Sequence, residues 1–461
     1  MTTSARLLHP KTLARARDDF FDGLPGHFER LRLGRDELER VQTVRLRAVL
    51  AHAARRSPFH ARRLAGTDLA GFTLAQLESL PPMTKAEMMS CYDDVVTDRR
   101  LTLEAANRHL ESVGDEPALF LDRYVVLSSG GTSGVRGVFA CDLDGSAQHM
   151  AAVVRGALSG LAAAIGWPPP GPPPMTIVAA PTCVHATRGL SSLFLHQRLA
   201  EVTFAPVTAP FDHIAATVQH AQPLILIGYP TVIARLADAQ AEGKLSISPM
   251  AVAVTSEQLT GDHIERITDG LGVAPTNSYG TSEGLMGTAP AGSDIFDFAS
   301  DLAYIEFVDA YDNPVAIGET AHHVLVTNLY NRTQPLIRYR IDDTMTPAAP
   351  SQDHGHQRAS LEGRNDELLD IAGVTIHPLT IRSVLVADPA VADYQVRLVE
   401  TGGLELDVVS DGRTVDTAAV EASLGRALAN AGAPPIRLAV HVVDALRRDP
   451  STGKARRFIT T

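Results

Sequence analysis

From Met175 onward the chain alternates short apolar runs with amphipathic stretches, and no other feature restricts its fold as much. Met175 to Ala180, Pro223 to Ile227, Met250 to Val254 and Ala274 to Asn277 have the length and aliphatic content of strands buried on both faces. Thr231 to Gln240 and Gly261 to Leu271, which separate the last three, carry helical spacing. Such a β–α–β–α–β order calls for a parallel sheet with right-handed crossovers. Ligands of these sheets bind beyond the carboxyl ends of the strands. Two polar motifs fall there, Thr255-Ser256-Glu257 and Ser278-Tyr279-Gly280-Thr281-Ser282-Glu283-Gly284.

At 461 residues the chain exceeds one hydrophobic core, so two or three domains are expected. The start, to about residue 100, reads as helical. Leu38 to Arg56 places Leu38, Val41, Leu46, Val49, Leu50 and Ala53 on one face. In Leu80-Pro81-Pro82-Met83-Thr84-Lys85-Ala86-Glu87, Thr84 and Glu87 form a capping box for a following helix. A buried helix is expected near Met150 to Ile165, followed by an exposed proline-rich spacer from Pro168 to Pro174. Leu302 to Val308, Ala321 to Thr327 and Leu336 to Tyr339 predict a smaller β region. The polar stretch from Pro347 to Ser360 reads as a linker, with His354 and His356 solvated, since a metal site would need two further ligands. From Leu361 a helix near Pro378 to Ala387, strands Val391 to Val399 and Glu405 to Val409, a helix Val415 to Ala431 and a strand Ile436 to Val443 suggest a separate α+β domain. The expected class is therefore α/β. Residues 1–360 form a large domain with a parallel βαβ sheet and a smaller β region, and residues 361–461 a small mobile α+β domain. No internal repeat is visible.

Composition limits the partners. With 53 acidic against 41 Lys and Arg residues, the formal charge of −12 argues against nucleic acid or an anionic membrane surface. A small-molecule partner is expected. Cys91, Cys141 and Cys183 are too scattered for a disulfide framework or a zinc site, which fits a reducing cytoplasm. The Arg-rich start lacks an apolar h-region, so no signal peptide is expected, and no membrane span is predicted.

Behind the apolar run Tyr124 to Leu127 lies Ser128-Ser129-Gly130-Gly131-Thr132-Ser133-Gly134-Val135-Arg136-Gly137. Glycines there let backbone N–H groups turn inward, and hydroxyls of Ser129, Thr132 and Ser133 add neutral donors, as a phosphate site requires. It lacks the Gly-Lys-Ser/Thr ending of a Walker loop. Four further signatures follow in order: Tyr279-Gly280-Thr281-Ser282-Glu283, Tyr339-Arg340-Ile341-Asp342-Asp343, Gly363-Arg364-Asn365-Asp366 and Ser451-Thr452-Gly453-Lys454.

This order resembles the adenylate-forming superfamily of acyl-CoA synthetases, adenylation domains and luciferases. The stretch ending at Thr84-Lys85, the short carboxyl-terminal domain and Leu336-Ile337-Arg338-Tyr339-Arg340 are most similar to the phenylacetate–CoA ligase branch. The resemblance, from about residue 50 to the end, implies an enzyme that uses ATP and Mg²⁺ to convert a small carboxylic acid to acyl-AMP and passes the acyl group to coenzyme A. It gives Ser129, Thr132 and Ser133, with Gly131, Gly134 and Arg136 of the same loop, the β- and γ-phosphates of ATP. It gives Tyr279 the adenine face, Ser256 and Glu257 its edge, and Gly280, Thr281 and Ser282 the rest of that nucleotide wall. Glu283 would hold Mg²⁺, Asp343 the ribose hydroxyls and Arg364 the ribose or phosphate. Asp366 would be the hinge of the small domain and Lys454, with Glu283, the catalytic residue. A carrier protein and a homodimer are admissible partners.

Singly, each residue has a plainer reading. Glu283 can be a helix-start carboxylate, Asp343 a turn residue, Lys454 a solvated tail lysine and Tyr279 a core aromatic. Two departures from the family pattern stand out. Val135 replaces the usual loop lysine, with Arg136 one residue on, and Asp342 places an extra anion beside the ribose aspartate. Alternative readings keep adenylation but pass the acyl group to an amine or a carrier-protein thiol, or retain nucleotide binding without turnover. The acid itself is not legible, and His185, in the loop Pro181-Thr182-Cys183-Val184-His185, is a candidate for the pocket wall.

Overall fold

The computed structural model describes residues 10–128, 137–165, 171–195, 198–257, 259, 261–361, 369–376, 378–388, 390–399, 402–410, 412–444, 446–447 and 458–460. Its strands in chain order are β1 Tyr124–Ser128, β2 Val138–Asp142, β3 Pro174–Ala179, β4 Glu201–Pro206, β5 Ile225–Gly228, β6 Ala251–Thr255, β7 Thr276–Gly280, β8 Met286–Ala289, β9 Ile295–Phe298 and β10 Ala303–Val308. They continue with β11 His323–Asn328, β12 Tyr339–Ile341, β13 Met345–Pro347, β14 Arg358–Leu361, β15 Leu369–Ile371, β16 Val374–Ile376, β17 Val391–Leu398, β18 Leu404–Ser410, β19 Leu438–Val442 and β20 Phe458–Thr460.

The predicted parallel sheet is present, and it is larger than expected. Its order is β13-β14-β9-β8-β7-β6-β5-β3-β4. Strands β4, β3, β5, β6 and β7 run parallel, and β8, β9, β14 and β13 extend the sheet antiparallel. The two-residue alternation of β3 explains why it is apolar throughout. Met175, Ile177 and Ala179 pack with Met150, Val154 and Leu158 of the helix Leu143–Ile165 and with Leu190 and Phe194 of the helix Ala186–Phe194. Val178 and Ala180 point the other way, onto Ile214, Val218, Ile233 and Leu236 of the helices Phe211–Ala221 and Pro230–Ala241. Winding therefore changes direction beyond β3, where the chain goes out to β4 and returns past it to β5. That reversal leaves a crevice at the carboxyl ends of β3 and β5.

The smaller β region is the antiparallel trio β10-β11-β12. The stretch after Pro347, expected as a solvated linker, is instead part of the large sheet. β14 pairs with both β13 and β9, and Arg358 Nε donates to Asp297 at 2.8 Å. His356 is buried, with Nε2 at 2.8 Å from Arg30 O and Nδ1 accepting from Ser300 N, and His354 lies 3.5 Å from Asp297. These long-range partners override the polar composition. On the first helical face, in the helix Arg35–Arg56, Gln42 takes the buried place expected for Val41, because its amide donates to Ser300 O at 2.8 Å. The C-terminal region is α+β, as expected. Strands in the order β19-β18-β17-β20, the hairpin β15-β16 and the helices Pro378–Ala387 and Thr417–Asn430 share one core around Ile381, Val396, Leu406 and Leu424. Among the described residues no helix is long and apolar enough to cross a membrane.

Arg155, in the apolar helix Leu143–Ile165, is fully buried. Its guanidinium forks onto Asp301, with Nη1 to Oδ2 at 3.1 Å, and Arg30 reaches the same carboxylate at 3.1 Å. Burial alone would raise the Asp301 carboxyl, but the Arg155 guanidinium reverses this and holds it down at about 2. A lowered carboxylate stabilises the fold above the ordinary aspartate range, and that contribution disappears as pH falls through about 2. Asp301→Ala, which leaves buried guanidinium groups unpaired, is expected to cost about 3–5 kcal/mol in urea unfolding at neutral pH. The gap from the parent protein should close as the medium approaches about pH 2. An unchanged unfolding midpoint at neutral pH would make the cluster dispensable.

Candidate functional site

Three distant segments meet at the carboxyl ends of β6 and β7. Beyond β6, Ser256 adopts φ 72° and turns the chain so that Glu257 faces the start of the next-door helix. There Thr231 donates to Glu257 Oε2 from its hydroxyl at 2.7 Å and from its backbone N–H at 3.4 Å. Tyr229, at the end of β5, is buried, and burial pushes its phenol up, with Ser256 hydrogen-bonded to it. Beyond β7 the chain makes a tight turn, Gly284 N to Thr281 O at 3.0 Å and Leu285 N to Thr281 Oγ1 at 3.2 Å. Gly284 needs φ 93° here, and a Cβ on it would lie 2.3 Å from Asn328 Nδ2 and 2.5 Å from the Tyr330 hydroxyl. The turn presents Glu283, whose carboxylate lies 3.7 Å from Lys85 Nζ.

Lys85 is placed by backbone. Thr84 caps the helix Lys85–Ser90 by accepting from Glu87 N, the N-cap half of the expected capping box. Met83 is stitched to β12, its N–H donating to Arg338 O at 2.8 Å and its carbonyl accepting from Arg340 N at 2.9 Å. β12 also leads to Asp343, which is buried and accepts a hydrogen bond from the Tyr279 hydroxyl. Tyr279 is half-buried, its ring edge-on to Phe296 and Phe298 at 6.1 and 6.0 Å. The anion next door is not a problem: Asp342 is exposed and pairs with Arg340 Nε at 2.7 Å.

The end of β7 divides two cavities. On one side a polar cleft of about 340 Å³ is lined by Ser256, Glu257, Ser278, Tyr279, Gly280 and Thr281. On the other, an apolar pocket of about 90 Å³ runs between the sheet and the helices Leu143–Ile165 and Ala186–Phe194. Its wall includes Met150, Val154, Leu158, Leu190 and Met175, and it shares Ser278, Tyr279 and Gly280 with the cleft. Ala186 and Thr187 line it, whereas His185 does not. Cys183 is buried and donates to Asp115 O, away from this wall.

Of the sequence-predicted site residues, Ser256, Glu257, Tyr279, Gly280, Thr281, Ser282, Glu283 and Asp343 thus gather around one strand end. Ser129, Gly131, Thr132, Ser133, Gly134, Arg136, Arg364, Asp366 and Lys454 lie outside the described residues. The segment 129–136 joins β1 to β2, which pair antiparallel with Ser128 opposite Val138. Lys85 had no assigned role in the sequence. The Thr84-Lys85 pair was visible there as a branch feature, but its proximity to Glu283 depends on the Met83–β12 pairing. Among the described residues no group of three or more His, Cys, Asp or Glu side chains comes together to hold a metal by itself.

The phenylacetate–coenzyme A ligase of Escherichia coli (strain K12) is 26% identical to this chain over 392 residues, 80% of this chain and 81% of that one. The same-named protein of Thermus thermophilus is 33% identical over 154 residues, covering 31% of this chain and 34% of that one. The chain belongs to the adenylate-forming superfamily, on its phenylacetate–CoA ligase-like branch. The fold agrees. A 2-hydroxyisobutyryl-CoA ligase crystallised in the postadenylation state superimposes with TM-score 0.55 at 19% identity, over 93% of this chain and 91% of that one. No family model matches the chain. Family membership carries the reaction class, AMP-forming ligation, and leaves the acid open.

Gly284→Ala is expected to strain the turn by about 1–3 kcal/mol and to lower thermal stability and activity together. A variant of unchanged melting temperature would show that the turn can relax without glycine.

Proposed function

We propose that the protein is an ATP-dependent carboxylate–CoA ligase, with the nucleotide in the polar cleft and the acid's tail in the apolar pocket. The observation that carries this reading is the shared wall Ser278-Tyr279-Gly280, which brings the contents of the two cavities end to end. The acid's carboxylate then meets the nucleotide's α-phosphate beside Gly280 and Thr281. A carboxylate oxygen forms a bond to the α-phosphorus, and the bond from that phosphorus to the bridging oxygen breaks, releasing pyrophosphate. The thiolate of coenzyme A next attacks the acyl carbon, AMP departs with the former carboxylate oxygen, and the thiol proton passes to solvent.

Two anions must approach for the first step, so their charge has to be neutralised. Lys85 stands at Glu283 within reach of that region, and Lys454 is the second ammonium. Asp343, buried beside Tyr279, would take the ribose hydroxyls, and the Ser256–Glu257 turn, braced by Thr231, the base edge. Glu283 suits Mg²⁺, a hard ion content with one or two carboxylates plus phosphate oxygens and water. When bound, the ion would neutralise phosphate charge. The loop 129–136 would hold the terminal phosphates, and Arg364 the ribose or phosphate. The region from residue 361 would turn about Asp366.

Glu283→Gln is expected to remove most acid-dependent ATP–pyrophosphate exchange while the protein stays folded. Unchanged exchange at limiting Mg²⁺ would remove Glu283 from the site. Asp343→Ala should weaken ATP about ten- to a hundredfold, as loss of a charge-assisted hydrogen bond in a dry site implies. Ordinary ATP affinity in that variant would move the ribose elsewhere. Lys454→Ala is expected to abolish acyl-AMP formation yet still convert prepared acyl-AMP to thioester, while Asp366→Pro should spare adenylation and damage transfer. Equal slowing of both half-reactions by Lys454→Ala would contradict the two-position arrangement. Transfer to an amine or carrier thiol in preference to coenzyme A would change the acceptor and leave adenylation intact.

A further inference from the structure

The helical wall of the apolar pocket carries one imidazole beside the hydroxyls of Thr187 and Ser191, and the proposed reaction does not use it. His149 of the helix Leu143–Ile165 lines the pocket and is 7% exposed. Its Nδ1 lies 3.1 Å from the Tyr330 hydroxyl. The Nε2 atom, which has no hydrogen-bond partner among the described residues, is therefore the polar atom that the ring offers to the cavity.

The surrounding bonds assign the proton. Asn328 Nδ2 donates to Glu283 O at 3.1 Å, and Asn328 Oδ1 accepts from Tyr330 N at 3.0 Å. Burial pushes the Tyr330 phenol up and keeps it protonated, and its single proton, directed at His149 Nδ1, leaves the imidazole hydrogen on Nε2. Burial lowers the His149 imidazole to about 4, so the ring is neutral at physiological pH. The pocket wall carries no Lys, Arg, Asp or Glu. Its polar groups include the His149 imidazole and the hydroxyls of Thr187, Ser191, Thr255, Ser278 and Thr288, all uncharged, which suits a neutral acceptor and not a second carboxylate.

Position along the helix says where that acceptor lies on the acid. His149 is tied through Tyr330 and Asn328 to the Glu283 turn, hence to the reacting end of the pocket. Val153, Ala157 and Leu158 continue the wall away from that end, roughly 13 Å further along the helix at 1.5 Å per residue. We infer that His149 is a specificity-determining residue that selects acids bearing a neutral hydrogen-bond acceptor, a hydroxyl, ether or keto oxygen, on the carbons next to the carboxylate, with an apolar tail beyond. A site built around a buried donor rejects analogues that leave the donor unpaired.

This inference rests on the adenylation reading, and the test separates the two. Acid-dependent pyrophosphate exchange is measured with alkyl and aryl monocarboxylic acids, offered as α-, β- and terminally hydroxylated members with their methyl-substituted counterparts. The parent protein should favour an α- or β-oxygenated acid over its methyl counterpart by about tenfold or more in kcat/KM. His149→Phe, similar in shape but without the donor, should bring that ratio close to one, and His149→Gln, which keeps an N–H donor, should retain most of it. A purely structural histidine would lower both members of each pair equally in both variants, and that result overturns the inference. So does a preference for terminal oxygenation or for the methyl acids. Exchange with none of the acids overturns the adenylation reading and this inference with it.

Discussion

Parallel strands can be covered by helices on both faces, but their carboxyl ends stay open wherever winding reverses. Here the reversal beyond β3 opens the sheet at β3, β5, β6 and β7 together, and the part of the candidate site that follows β6 and β7 depends on it, while β12 of the smaller sheet brings up Asp343 and Lys85. Ser256 and Glu257 follow β6, Tyr279 closes β7, and the Glu283 turn follows directly. The same packing makes the second cavity. The helix Leu143–Ile165 packs with Met175 and Ile177, yet leaves an apolar slot that reaches Tyr279. Polar cleft and apolar slot are therefore two consequences of one sheet edge.

Charge is arranged around this edge with little slack. The chain is acidic overall, and three carboxylates, Glu257, Glu283 and Asp343, surround a place proposed for a polyanion. Each is engaged: Glu257 by Thr231, Glu283 by Lys85 and Asp343 by the Tyr279 hydroxyl. Asp342, next to Asp343, is turned outward onto Arg340, and Asp294 lines the cleft as a further carboxylate. Binding a nucleotide would exchange these internal partners for the ligand's hydroxyls and cations, so the carboxylates are positioned before the ligand arrives.

Much of this was legible because local and global signals agree. The strands β3, β5 and β6 announce themselves as apolar runs and Gly284 sits where positive φ is needed, whereas β7 starts two residues after the expected Ala274 and takes in Ser278-Tyr279-Gly280. What escaped depends on distant partners. β4 is an edge strand whose Glu201-Val202-Thr203-Phe204-Ala205-Pro206 shows no continuous apolar run, and β8 contains Gly287 packed under Phe298. The stretch after Pro347 looks like a linker until His356 finds Arg30 and Ser300, and β14 finds β9. Lys85 shows only as part of a capped helix, since nothing local says that Met83 will pair with β12. His149 hides as one polar residue in an apolar helix, a pattern that usually marks a satisfied core histidine.

The central claim is that a carboxylate oxygen attacks the α-phosphorus of ATP. The most direct measurement follows that oxygen, using an acid that supports turnover with both carboxylate oxygens labelled with oxygen-18, together with ATP and coenzyme A. The account requires one labelled oxygen in each AMP formed and none in pyrophosphate. Label in inorganic phosphate with ADP as the nucleotide product would place the attack on the terminal phosphate and contradict it.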